Sequence, residues 1–245
     1  MKRFKFFTAI TVVAGSFFFL SCNSGGNKAD EAAGNKDSTA TQSTAKEATP
    51  ANTKPGNVLI IRHKVANFEK WKAAYEAHDS TRLVYGLHNF VIGRGLKDSN
   101  MVMVVMKMDD TAKAKEFAAL PNLKAAMKKG GVVGAPSFLF VDNQVVDSSS
   151  VASTQRVIIT HKVKDWDAWK KSFDSSKQDR LNAGLADRAV GYSVGDPHTV
   201  IVAFVINDLP KAEAFVSSKD LKDKMAKAGV AGPPDIFFYH VVQNY

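Results

Sequence analysis

The 245-residue sequence repeats itself without a gap. His63-Lys64-Val65, Trp71-Lys72, Arg82-Leu83 and Gly86 recur as His161-Lys162-Val163, Trp169-Lys170, Arg180-Leu181 and Gly184, at one fixed offset (161 − 63 = 98). The offset persists through Gly93/Gly191, Asp110/Asp208, Phe117/Phe215, Met127/Met225 and Pro136/Pro234. A gapless repeat of this length means two similar modules of about ninety residues and not one large domain. Each is near the lower end of what buries an adequate core alone.

The ends of the repeat set the domain limits. Residues 1–22 read as an export signal: Lys2, Arg3 and Lys5 form a basic head, and Phe6 to Leu20 an apolar run too short for a stable membrane span. The run ends in Phe19-Leu20-Ser21-Cys22, which resembles a bacterial lipobox, and Cys22 is the chain's one cysteine. A single cysteine excludes an intrachain disulfide. The expectation is an acylated Cys22 that holds the protein on a lipid bilayer in the cell envelope, on the periplasmic side or the cell surface. Residues 23–56, without an aromatic, read as a disordered linker. The two repeats then occupy 57–148 and 155–245. Loss of the three basic residues of the head takes the net charge from +9 to +6. That charge is scattered over the folded part and no nucleic-acid-binding motif accompanies it, so no nucleic acid is expected as partner.

Within each copy the periodicity switches between two and 3.6 residues. Leu59, Ile61, His63 and Val65 alternate with Ile60, Arg62 and Lys64, as a strand. Asn67 (Asp165 in the second copy) is an N-cap. The helix behind it carries one stripe of Phe68, Trp71 and Tyr75, or Trp166, Trp169 and Phe173, and is expected to run on to Gly86 or Gly184. Two strands follow at Phe90–Leu96 and Met101–Met108 (Ala189–Val194 and Thr199–Ile206). Asp110 and Asp208 then cap a second helix, which breaks at Pro121 in the first copy. Last strands are expected at Phe138–Val141 and Ile236–Val242. The order β-α-β-β-α-β is the ferredoxin-like plan. Its helices cover one sheet face. The other face is apolar and needs a partner sheet, which the second copy supplies. The fold class is therefore α+β: two tandem ferredoxin-like units packed sheet to sheet as an intrachain pseudo-dimer, able to exist as a monomer.

His-Lys-Val, the spaced Trp-Lys and Arg-Leu, the paired central strands and Ala-Gly-Val-Ala-Gly-Pro-Pro at 228–234 resemble the dimeric α+β barrel superfamily, which includes the antibiotic-biosynthesis-monooxygenase-like and cyclase-like proteins. The resemblance spans both copies, residues 58–141 and 156–242. It implies the fold, and leaves activity open among cofactor-free oxygenases, isomerases, haem-degrading enzymes and proteins without known chemistry. Haem-degrading members use a histidine on the second helix. Residues 110–129 and 208–228 hold none, which disfavours haem, and no other cofactor is implied.

Three residue types in each copy stand out. His63 and His161 lie on the more apolar strand face, either as neutral core histidines or as a general acid or base. Trp71 and Arg82 are eleven residues apart, which places them on one face of a continuous helix, as it does Trp169 and Arg180. An arginine on an aromatic stripe points into a cleft, pairs with a carboxylate, or bonds the helix C-terminus. These residues are expected to border one cleft per copy, suited to a small apolar or anionic ligand. His78, His88, His198 and His240 have no counterparts in register, and no spacing resembles a metal site. Three functions fit: a ligand-binding envelope lipoprotein, a cofactor-independent monooxygenase- or cyclase-like enzyme, or a structural or protein-interaction module.

Overall fold

The computed structural model describes residues 55–245. The export signal, Cys22 and nearly all of the linker lie outside the described residues. The first copy runs β1 (Val58–Val65), α1 (Phe68–Ala77), α2 (Asp79–Val84), β2 (Leu87–Gly95), β3 (Met101–Met108), α3 (Thr111–Ala119), α4 (Pro121–Lys129) and β4 (Val132–Val146). The second runs β5 (Gln155–Val163), α5 (Trp166–Ser175), α6 (Lys177–Asn182), β6 (Leu185–Ser193), β7 (Asp196–Ile206), α7 (Leu209–Ser217), α8 (Lys219–Lys227) and β8 (Val230–Asn244).

Helix starts follow from side-chain caps. The Asn67 carboxamide accepts from the Lys70 amide at 2.9 Å, and Asp165 accepts from Ala168 at 2.7 Å. Asp110 and Asp208 do the same for Lys113 and Lys211. Each such cap contributes about 1 kcal/mol.

All strand pairs are antiparallel. Each copy has the ferredoxin-like order, β4-β1-β3-β2 and β8-β5-β7-β6, and the two sheets join at both edges into one closed barrel. The last strands make the closure. The first part of β4 pairs with β1, and its end crosses to the other copy, where Val141–Val146 meet Ser193–Ala189 of β6. The end of β8 likewise pairs with β2. Closure pairs the end of each last strand with the other copy and so shortens the sheet edges open to solvent. These strands are 15 residues long, well beyond the short final strands expected from sequence. Gly134, Pro136, Gly232 and Pro234 read as loop, yet they form bulges inside the strands, with positive φ at Gly134 and Gly232.

The barrel has two kinds of core. Val58, Ile60, Met103, Val141, Ile158, Ile201 and Tyr239 fill its interior. Leu59, Ile61 and Val65 of β1 point the other way, onto Phe68, Trp71 and Phe117 of the helices. Val157, Ile159 and Val163 do the same in the second copy. Strands with both faces covered lose the polar alternation that marks a half-exposed strand.

The first helix of each copy is not continuous to the glycine. It breaks at His78 and at Ser176. The physical reason is the arginine: Arg82 donates from Nη1 to the Tyr75 carbonyl at 2.7 Å, and Arg180 to the Phe173 carbonyl at 2.6 Å. The side chain takes the carbonyl that a continuous helix would give to the amide four residues on. Gly86 and Gly184, with φ of 64° and 73°, end the second short helix.

Candidate functional site: a cleft in each copy

Strand alternation aims the histidines at the helices. The His63 ring lies 5.3 Å from the Trp71 ring, tilted by 55°, and His161 lies 5.4 Å from Trp169, tilted by 56°. Trp71 stacks on Tyr75, and Trp169 on Phe173. The β4 and β8 bulges fall opposite these histidines: pairing with the last strand shifts between Arg62 and Lys64, and between Thr160 and Lys162.

His63 and His161 are 4% and 7% exposed, and none of their four ring nitrogens has a hydrogen-bond partner within the protein. A buried polar nitrogen without a partner costs on the order of 1–3 kcal/mol. Burial also disfavours the imidazolium and pulls both pKa values down to about 4. Both rings are thus neutral at pH 7, each with one N–H donor and one bare nitrogen acceptor.

Each histidine, tryptophan and arginine lines the same cleft between helices and sheet, a cavity of about 170 Å³ in the first copy and about 90 Å³ in the second. Apart from these residues the walls are mainly apolar, with Phe117, Leu123 and Met127, or Phe215, Leu221 and Met225, closing the helix side.

The arginines border the clefts with their polar groups engaged elsewhere. Arg82 is 3% exposed; it donates to Asp79 at 3.0 Å and Asn89 at 3.1 Å, and lies 3.8 Å over the Tyr75 ring. Arg180 grips Asp187 with two bonds of 2.7 Å and lies 3.6 Å over Phe173. Each ties its two short helices to the following strand. Their charge is countered before any ligand arrives.

Sequence reasoning placed Tyr75 on the aromatic stripe but missed Asp79, Asn89 and Asp187. The Tyr75 hydroxyl donates to Asn89 at 2.5 Å, and the Asn89 amide donates to Asp79 at 2.6 Å. Asn89 and Asp187 sit at equivalent positions in the repeat, but their residue types differ, so the repeat pattern does not flag them. Of the unmatched histidines, His88 meets Asp109 at 2.8 Å, and His198 Nδ1 lies 3.2 Å from the Val163 carbonyl. Among the described residues no cluster of His, Cys, Asp and Glu is placed to hold a metal ion. No described helix is long and apolar enough to cross a membrane.

Solved structures share this arrangement. A monooxygenase-like protein of Fusobacterium nucleatum matches 77% of the chain and 93% of its own length, with a TM-score of 0.50 and 15% identity. An anthrone oxidase-like protein matches 78% of the chain and 92% of its own, with a TM-score of 0.52 and 15% identity. The fold is the dimeric α+β barrel. A chlorite dismutase-like protein has it too, over 77% of this chain and 96% of its own, at a TM-score of 0.51 and 15% identity. These shares equal nearly all of residues 55–245, so the likeness takes in both copies. At this identity it speaks for the fold. No protein-family model matches the sequence, and no curated protein does. The dimeric α+β barrel accounts for the covered inner sheet face: here both halves are in one chain.

Proposed function

We propose that this dimeric α+β barrel binds a small, neutral, planar molecule with one ring hydroxyl, a phenol in chemical class. The reading rests on one observation. A buried, neutral histidine with unpaired ring nitrogens borders an apolar cleft beside a tryptophan face. A phenol would donate its hydroxyl to the bare nitrogen and lay its ring along the aromatic wall. A cavity of about 170 Å³ is in the size range that admits a single ring, given that an apolar cavity of about 150 Å³ takes benzene. The arginine charge is already balanced by Asp79, so an anionic ligand gains little from it.

The enzymatic alternative has support from the fold of its monooxygenase-like neighbour. The electrostatics weigh against it. Burial lowers the histidine pKa to about 4 and makes the ring a weak base, so it acts as a hydrogen-bond acceptor before it acts as a base.

The same proposal places the barrel in the cell envelope, tethered through acylated Cys22, as the lipobox-like sequence at 19–22 supports. Titration with p-cresol, followed by tryptophan fluorescence, tests binding. Saturable quenching that His63→Leu abolishes is expected, and an unchanged spectrum would count against the reading. Oxygen uptake with a panel of hydroquinones separates enzyme from binder. Cys22→Ser should move the protein from the membrane to the soluble fraction.

A further inference from the structure

The two clefts are built from one plan but have different walls. The histidine, tryptophan and arginine are the same in both, as are Phe117/Phe215, Leu123/Leu221 and Met127/Met225. Several lining positions differ between the copies; Ser176 in place of His78 removes bulk from the second cleft, and three substitutions add it. Met106 becomes Phe204, Ala126 becomes Lys224, and Gly130 becomes Ala228. Each of the three adds side-chain bulk to the wall of the second cleft, whose cavity is about 90 Å³ against about 170 Å³ in the first.

The substitutions at the rim also add a fastening. Lys224 on α8 meets Asp179 on α6 at 3.0 Å and Asp220 at 2.9 Å. Lys224 and Asp179 are about half exposed and Asp220 more so, and the bridge lies at the solvent edge of the cleft. The first copy has Thr81, Ala126 and Asn122 at the same three positions, which cannot form an ion pair. An exposed pair contributes only ~0.2–1 kcal/mol, but here it joins two helices across the opening. Phe204 meanwhile fills the floor, with its ring 6.2 Å from Phe173.

We propose that the copies have divided their roles: the first cleft takes the ligand, and Phe204 with the Lys224–Asp179 bridge narrows the second into a structural counterpart too small for it. This rests on the binding reading above and assigns it to one half of the molecule. Flexible methionine and small alanine and glycine leave room in the first cleft, whereas a rigid ring fills the second.

The test follows the imidazole C–H signals of His63 and His161 by NMR during a p-cresol titration. It uses the full chain carrying Cys22→Ser, so that no acyl chain competes for the probe. The His63 signal should shift with a midpoint at least tenfold below that of His161. F204M/K224A should bring the two midpoints within about threefold. If that variant does not fold, wild-type protein in 1 M salt and K224A alone provide the second arm; either should lower the His161 midpoint. Equal midpoints in the wild type, or a His161 midpoint below that of His63, would overturn the division of roles and leave binding intact. A His161 midpoint unmoved in a folded variant would overturn the assignment of the plug. No shift at either histidine would remove the binding reading itself, and this inference with it.

Discussion

Arg82 clasps Tyr75 twice: it hydrogen-bonds the Tyr75 carbonyl at 2.7 Å and lies 3.8 Å above the same residue's ring. One side chain thereby ends α1, starts the return to β2 and fixes the aromatic wall of the cleft. Arg82→Ala removes these bonds, leaving the Asn89 oxygen with the Tyr75 hydroxyl alone and the Tyr75 carbonyl with the His78 amide alone. The expected cost is roughly 2–4 kcal/mol, read as a lower urea midpoint. Arg82→Lys should recover less than half, because an ammonium cannot present the planar fork that spans three acceptors. Full recovery by lysine would show that the charge alone matters.

The histidines predict a pH dependence with a definite sign. Their folded pKa values, about 4, lie below the ordinary unfolded value of about 6.5. Between these limits the unfolded chain binds more protons, so stability rises with pH and is lost as pH falls from 6.5 towards 4. Each histidine contributes up to roughly 3 kcal/mol across that window. Replacing both by leucine should flatten the slope of unfolding free energy between pH 6.5 and 4. A slope unchanged in the double variant would place the titrating groups elsewhere.

The barrel seams depend on Gly93 and Gly191, an equivalent pair in the repeat. A Cβ on Gly93 would lie 2.4 Å from the Tyr239 ring, and one on Gly191 would lie 2.4 Å from the Asp142 carbonyl. A side chain is able to shrink, and a backbone is not. Gly93→Ala should cost about 2 kcal/mol, and Tyr239→Val, which copies Val141 of the first repeat, should restore part of it. No comparable second-site change should relieve Gly191→Ala. Thermal unfolding of the four variants checks both statements.

Neither copy closes the barrel alone. A fragment of residues 151–245 would leave the outer edge of β6 and the end of β8 without partners, and the inner face of Ile158, Ile201 and Tyr239 bare. It should associate as a dimer that pairs the end of β8 with β6 of a second copy, seen by analytical ultracentrifugation. A stable, soluble monomer would contradict the closure described here.

Much of the architecture was legible in the residues themselves. The fixed offset, alternation of two in β1 and the caps at Asn67, Asp110, Asp165 and Asp208 are local or periodic signals, and local geometry alone sets them. The same alternation grouped His63 with Leu59 and Ile61, and the helical stripe grouped Trp71 with Tyr75. Three features required the tertiary structure. The first helices break because Arg82 and Arg180 capture a carbonyl, a choice the helical pattern does not encode. The last strands run to 15 residues because their ends pair with the other copy, and pairing across roughly fifty residues or more leaves no mark on a local pattern. The inequality of the clefts depends on which side chains converge: Phe204, Lys224 and Asp179 lie on three different elements, and only the packed barrel brings them to one opening.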